Sequence, residues 1–380
     1  MIHNSDFDDI RPYYEEEIPA AMKRIAASRF FPLLSDYVFP DWCIDDVRKM
    51  VGGLTTTSDF QRQVMYFANR QIIARTTTEF IDAGLDRINP DKCYLFVSNH
   101  RDIMLDASLL QNVLVDHGHD TAQITFGANL MHGGTVIDIG RSNKMFRVER
   151  GGNMKDFYKS SLRLSNYIRF ILLEDKESVW IAQRNGRTKD GIDKTDQGII
   201  KMFCMSRPDD KIAAISELNI VPVSVSYEWE PCDMLKSLEL YESQFSKYTK
   251  KPGEDLNSIL TGITQHKGRV YFEICNPLTV EELQPLSGLT NNDYHKAVAR
   301  VIDKRIIDAY KLYPNNYIAY DLRFSTDKYA NKYSAAEKDN FKAHMKQLMR
   351  FDTCNMNQLI DIFLGIYSNP VISKQNVRSV

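Results

Sequence analysis

The stretch Tyr94-Leu-Phe-Val-Ser-Asn-His100-Arg-Asp-Ile-Met-Leu-Asp106 carries a histidine at the end of a short apolar run, with carboxylates soon after it. The apolar run is typical of a strand that is buried on both faces. A neutral imidazole can take a proton from a hydroxyl when its second nitrogen donates to a carboxylate. His100 and Asp106 are therefore a candidate general-base pair. Two alternatives stay open: Asp102 as the partner, and a structural histidine that caps the following helix.

Beyond residue 90, short runs rich in β-branched and aromatic residues alternate with helical patterns. Strands are predicted at 93–98, 122–127, 178–183, 219–227 and 269–275, and helices at 104–117, 153–173 and 194–206. This alternation predicts an α/β fold with a mostly parallel or mixed sheet that is flanked by helices. Sites in such sheets lie where strands end, and His100 follows the end of a predicted strand.

The chain divides by pattern into three regions. Residues 1–90 are predicted to be a helical N-terminal region, 91–280 the α/β domain, and 281–380 a helical C-terminal region packed on the core. The C-terminal helices are predicted at 291–312, 334–349 and 355–366. Residues 232–267 are expected to form a polar insertion. Pro222, inside a predicted strand, indicates an edge, a bulge or a functional turn.

Composition excludes several classes of protein. The 380 residues are 43% hydrophobic and 26% charged with a net charge of −2, which is ordinary for a globular protein and gives no overall attraction to nucleic acid. The six cysteines include no Cys-x-x-Cys pair, so we expect reduced thiols, no zinc site and no disulfide framework. The acidic N-terminus does not resemble a signal peptide, and no apolar run of about 18 residues occurs. We expect a cytoplasmic protein, soluble or peripheral.

An aromatic segment at 30–42, broken by two prolines, has two interpretations. It is either a helix–turn segment packed on the core or a surface that faces lipid. The second would place the protein peripherally on the inner face of the cell membrane.

Two basic segments are candidate phosphate contacts, because arginine binds phosphate oxygens in a bidentate manner. The first contains Arg147 and Arg150 before a Gly-Gly pair. The second follows a predicted strand and reads Arg184-Asn-Gly-Arg-Thr-Lys189. It places three cations beside Gly186 at a strand end.

Together these blocks resemble the glycerolipid acyltransferase superfamily over about residues 91–227. Asn99-His100-Arg101 with Asp106 resembles its first block, Val148-Glu149-Arg150 its second, Asn185-Gly186-Arg187 its third, and Val221-Pro222-Val223 its fourth. Five residues separate His100 from Asp106 where the general pattern has four, which resembles a bacterial branch. Asn185 stands where the pattern has Glu.

The resemblance implies transfer of a fatty acyl group from acyl-CoA or acyl-carrier protein to a hydroxyl of a glycerol-phosphate or lysophospholipid. His100 would be the base and Asp106 its orienting partner, without an acyl-enzyme, a metal or a cofactor. The residues expected to bind substrate are Arg101, Arg147, Arg150, Asn185, Gly186, Arg187 and Lys189.

The sequence allows three other interpretations of its function to be compared with this one. His100-Arg101-Asp102 resembles the catalytic loop of protein kinases, but Ala107 occupies the position of the required Asn and no Asp-Phe-Gly is present. A non-catalytic protein that binds acyl chains or lipid is a second alternative. The third is an acyltransferase whose acceptor is a non-phosphorylated lipid, such as an acylated amino acid.

Overall fold

The computed structural model describes residues 2–130, 133–149 and 153–378. Within these ranges, one mixed sheet contains seven strands in the order β1-β7-β6-β2-β5-β3-β4, and every neighbouring pair is parallel except β6 and β7. The strands are β1 Thr77–Ala83, β2 Leu95–Ser98, β3 Gln123–Gly127, β4 Met145–Val148, β5 Val179–Ala182, β6 Ile220–Tyr227 and β7 Gly268–Ile274.

Helices flank both faces of the sheet, and further helices precede the first strand and follow the last one. They are α1 Ile18–Ala27, α2 Phe31–Val38, α3 Ile44–Gly52, α4 Thr57–Phe60, α5 Tyr66–Thr76, α6 Leu105–Asp116, α7 Gly134–Ser142, α8 Met154–Phe170, α9 Gln197–Cys204, α10 Lys211–Ser216, α11 Asp233–Glu242, α12 Glu254–Thr264, α13 Val280–Leu283, α14 Asn291–Ala309, α15 Pro314–Arg323, α16 Ala335–Met345 and α17 Met356–Arg378.

Strand β2 shows how the sheet divides the core. Leu95 and Val97 lie in a cluster with apolar residues of α8, α9 and α14. Phe96 points to the opposite face and packs with residues of α5 and α6. Both faces of the strand are therefore covered, which explains why its sequence is continuously apolar rather than alternating.

The α/β fold and the five predicted strands are confirmed, with end shifts of one or two residues. Two strands were not predicted. β4 has only four residues, and β1 lies within the segment 1–90 that we expected to be helical. Edge strand β1 is partly exposed and carries polar residues, so it lacks the apolar run that marks the central strands. The boundaries of the three regions stay predictions.

The structure refines two local expectations, because it excludes the edge position for Pro222 and places helices in the segment 232–267. Strand β6 lies between β7 and β2 and is not an edge strand. Pro222 is tolerated there because it precedes Val223, the first residue of β6 paired with β7. The polar insertion at 232–267 contains α11 and α12, and Lys236 of α11 is fully buried. Lys236 forms an ion pair with Glu230, which is also buried, so this part of the segment belongs to the protein interior.

The aromatic segment at 30–42 is buried on one side only. Phe31 belongs to the core formed by the N-terminal helices, whereas Leu33 and Trp42 are exposed. Neither interpretation of this segment alone describes it. Among the described residues, no helix is both long and apolar enough to span a membrane.

Candidate active site

His100 follows the last residue of β2, at the sheet edge where the parallel strands β2, β3, β5 and β6 all end. Its ring is 7% exposed and reaches a pocket, with Trp180 of β5 edge-on at a centroid distance of 5.6 Å. The carbonyl of His100 accepts a 2.6 Å hydrogen bond from the amide of Thr188. Neighbouring chain segments therefore fix both the ring and the backbone of this residue.

The hydrogen bond between His100 and Asp106 is present. Nδ1 of His100 lies 2.9 Å from Oδ2 of Asp106, which is fully buried in the first turn of α6. An ionised carboxylate can only accept, so Nδ1 carries the proton and Nε2 keeps the lone pair. In this tautomer, Nε2 is the nitrogen able to receive a proton.

Three further groups hold the Asp106 carboxylate. The amides of Arg101 and Asp102 donate to Oδ2 at 2.6 and 2.9 Å, and the hydroxyl of Tyr227 donates to Oδ1 at 2.9 Å. Burial, followed by the Asp106 charge, raises the pKa of Tyr227 well above its usual value, so it stays a donor. The additional residue between His100 and Asp106 is accommodated because the turn folds back onto this carboxylate.

Asp102 has a different role from Asp106. Its Oδ1 accepts from the amides of Met104 and Leu105, both at 2.9 Å, and so caps the start of α6. Burial, and then the Asp106 charge, raise the pKa of Asp102. Asp106 rather than Asp102 is therefore the partner of His100.

The side chain of Arg101, which we expected to bind substrate, is fully buried and does not line the His100 pocket. Its guanidinium bonds Asp193 at 2.6 Å and Glu230 at 3.2 Å. Lys236 of α11 joins this network and donates to Glu230 and to the carbonyl of Arg101, both at 2.6 Å. Burial alone would lower the pKa of Arg101, but the carboxylates raise it well above its usual value, so the network is ionic.

The pocket beside His100 has a volume of about 310 Å³ and a mixed charge. Its wall includes Arg187 and Lys189, as the sequence predicted, together with acidic residues from α11 and α12. Lys189 forms an ion pair with Glu239, and Arg187 donates a 3.0 Å hydrogen bond to Ser258. Both cations line the pocket while bonded to protein groups.

The first basic segment lies elsewhere. Arg147 lines a neighbouring cleft instead of the His100 pocket and forms a 2.7 Å ion pair with Glu149. Arg150, the other half of the expected clamp, lies outside the described residues. The structure thus does not bring Arg147 to the wall of the His100 pocket.

Arg184 was not among the residues that we expected to bind substrate. It immediately follows Gln183 at the end of β5, and it borders the His100 pocket, the neighbouring cleft and a third groove. Arg184 forms no ion pair or hydrogen bond with another described residue. The sequence did contain a signal for it, because Arg184 is the cation nearest to the strand end.

Asn185 and Gly186 lie at the pocket wall as predicted. Asn185 is exposed and borders the same three cavities as Arg184. Gly186 has a φ of 74°, which favours glycine, so it shapes the loop through its backbone.

The C-terminal helix α17 supports this loop. Pro370 cannot donate to the carbonyl of Ile366, one helical turn earlier. Gly191 packs against that carbonyl so closely that a Cβ would lie 2.1 Å from its oxygen. Asn369 also donates a 2.7 Å hydrogen bond to the carbonyl of Asp190. The C-terminal region is therefore part of the support of the site.

The cleft next to the pocket is mostly apolar and has a volume of about 420 Å³. Its apolar lining comes from Ile10, Val148, Phe157, Leu164, Ile181, Ile199 and Met202. It shares Thr125, Ala182, Arg184 and Asn185 with the His100 pocket. An apolar and a polar cavity thus meet at the ends of β3 and β5.

Comparison with known proteins gives little sequence similarity. No model of a known protein family and no curated protein matches the chain. A solved structure of the 1-acyl-sn-glycerophosphate (LPA) acyltransferase PlsC from Thermotoga maritima is similar to it with a TM-score of 0.36 and 11% identity, over 78% of this chain and 98% of that chain.

Proposed function

We propose that this protein is an acyltransferase that moves a fatty acyl group from a thioester to a hydroxyl of a polar lipid or lipid precursor. The observation that carries the proposal is the 2.9 Å His100–Asp106 hydrogen bond at a pocket that joins an apolar cleft. The resemblance of the sequence blocks to glycerolipid acyltransferases agrees with this assignment.

In the proposed reaction, Nε2 of His100 removes the proton from the acceptor hydroxyl as its oxygen attacks the thioester carbonyl. The C–S bond breaks, and the thiolate takes the proton back from the imidazolium. Asp106 stabilises the imidazolium and holds its orientation. A general base of this kind contributes roughly 10²–10⁴-fold to the rate. The acyl chain would lie in the apolar cleft.

The acceptor is proposed to be a glycerol-phosphate or a lysophospholipid, bound by Arg184 and Arg187. The mixed charge of the pocket favours a second candidate. Lys189 is paired with Glu239, and Lys250 is paired with Asp255, so two of the cations are already neutralised. An acceptor without a phosphate, such as an acylated amino acid, would suit that balance.

An acceptor panel tests the function and separates the candidates. Purified protein is incubated with long-chain acyl-CoA or acyl-carrier protein and each acceptor in turn, and the products are identified by mass spectrometry. We expect one acceptor class to gain an acyl group. Tight binding of acyl donors without any product would instead favour the non-catalytic lipid-binding alternative.

A further inference from the structure

A third groove opens from two of the four residues that the His100 pocket and the apolar cleft share. Arg184 and Asn185 line all three cavities. Lys194, Lys296 and Arg300 extend the groove away from His100, and the last two lie on α14 in the C-terminal helical region. Lys296 and Arg300 lie outside residues 91–227, the segment that resembles known acyltransferases.

The groove has an excess of positive charge. The side chains of Arg184, Lys194 and Arg300 form no ion pair or hydrogen bond with other described residues. Lys296 makes only a 3.6 Å contact with Asp293, in which both side chains are largely exposed. An exposed pair of that kind contributes little to stability, so Lys296 is available to a ligand.

The two carboxylates of the groove are already engaged with the main chain. Asp196 caps α9 by accepting a 2.8 Å hydrogen bond from the amide of Gly198. Asp303 accepts a 2.7 Å hydrogen bond from the amide of Thr195. Four cations against two bonded carboxylates leave a local surplus of two positive charges, in a chain whose net charge is −2. Such a local surplus attracts an anion.

The three cavities match the three parts of the proposed reaction. A thioester donor has an apolar chain on one side of its carbonyl and, on the other side, a hydrophilic pantetheine arm that ends in a phosphate. The apolar cleft and the basic groove share Arg184, Asn185 and Asp196 and differ in the rest of their lining, while the His100 pocket is left for the acceptor.

We propose that Lys194, Lys296 and Arg300 bind the phosphate of the donor's phosphopantetheine arm, and that Arg184 lies where the arm enters the site. This inference rests on the proposed function. The phosphate has two sources, coenzyme A and the prosthetic group of an acyl-carrier protein. The chemistry that the groove recognises is common to both.

The test compares wild-type protein with the double variant Lys296→Glu and Arg300→Glu. Lys304→Glu is the matched control, because Lys304 is an exposed cation of α14 outside the groove. Calorimetry measures binding of coenzyme A and, separately, of a carrier protein in its holo and apo forms. Steady-state kinetics measures the KM of the acyl donor, the KM of the acceptor and kcat.

We expect the double variant to bind coenzyme A or holo carrier protein about tenfold more weakly or worse, and to raise the donor KM to the same extent. The acceptor KM, kcat and the control variant should change less than about twofold. Weaker binding of coenzyme A alone would assign the groove to nucleotide-bearing donors. Weaker binding of the holo carrier protein alone would assign it to the carrier.

Unchanged donor binding in the double variant overturns the inference, as does a wild-type protein that binds neither donor. The proposed function is judged separately, because calorimetry needs no turnover. If the wild-type protein is active and the double variant has an unaltered donor KM, the groove proposal is wrong and the proposed acyltransferase function stands. If donor binding depends on the groove but no acceptor is acylated, the groove proposal stands and the proposed function is wrong.

Discussion

The hydroxyl of Tyr227 donates a 2.9 Å hydrogen bond to Oδ1 of Asp106, the carboxylate oxygen that His100 does not contact. Tyr227 ends β6, and His100 follows the neighbouring parallel strand β2. The Asp106 carboxylate is therefore fixed from two strands as well as by its own turn. A side chain held at both oxygens has little freedom to turn away from His100.

The two neighbouring aspartates should differ in their effect on activity. Asp106→Asn gives His100 an amide in place of the carboxylate that fixes its tautomer, so we expect kcat to fall by about 10²-fold or more. Asp102→Asn keeps an oxygen for the two amides that it caps, and kcat should stay within about threefold. The acyl-transfer assay compares both variants, with circular dichroism as the check on folding. A larger loss of kcat in Asp102→Asn than in Asp106→Asn would show that Asp106 is not the catalytic partner of His100.

Gly262 of α12 should be sensitive to a single methyl group. A Cβ at this position would lie 2.0 Å from Oδ2 of Asp102, so the helix or the turn before α6 must move. We expect Gly262→Ala to lower the free energy of unfolding by about 1–3 kcal/mol, and to lower kcat through the displaced turn. Gly288→Ala is the control, because a Cβ there has no neighbour within 4 Å. Equal denaturation midpoints for the two variants would contradict this expectation.

The ionic network around Arg101 should stabilise the turn that carries His100. Glu230→Ala would remove the carboxylate that Lys236 pairs with and leave two buried cations, Arg101 and Lys236, beside Asp193, so we expect a loss of about 3–5 kcal/mol in the free energy of unfolding. Asp308→Ala removes the partner of Lys304 in an exposed pair and should cost about 0–1 kcal/mol. Urea denaturation measures both values. Similar losses would show that burial of the network adds nothing.

Asp303 should make stability depend on pH. Burial raises its pKa from 3.8 to about 6, so the folded protein binds a proton more readily than the unfolded chain. Stability must then decrease as the pH rises from about 4 through 6, and the charged carboxylate should remain a cost above that range. Asp303→Asn removes this titration, so its advantage over wild type should grow by about 2 kcal/mol between pH 4.5 and 7.5. If the difference in the free energy of unfolding between the variant and wild type does not vary with pH, the pKa of Asp303 is not raised by burial.

The sequence predicted the central part of the fold and the hydrogen-bonded pair His100 and Asp106. The buried strands carry continuous apolar runs, and His100 and Asp106 are close along the chain, so local patterns were sufficient for both. Edge strand β1 has no such run, and the short strand β4 carries too few residues to give a period. The strand conformation of β1 and β4 depends on pairing with their neighbours in the sheet.

The cations show where local patterns fail. Arg101 and Arg184 both follow a buried strand closely, yet one lies in a buried network and the other borders three cavities. The difference comes from Asp193, Glu230 and Lys236, which are far away in sequence. Tyr227 was missed for the same reason, because its contact with Asp106 spans 121 residues. Sequence spacing could indicate a basic site but not which cation is left unpaired.

The measurement closest to the central claim is the acyl-transfer rate of His100→Ala, with the donor and acceptor that the panel identifies. The change removes the ring nitrogen that we propose accepts the proton, so we predict a loss of about 10²-fold or more in kcat, with donor binding unchanged. Circular dichroism and the donor affinity confirm that the protein is folded. Transfer at the wild-type rate would contradict the role of His100 as the general base.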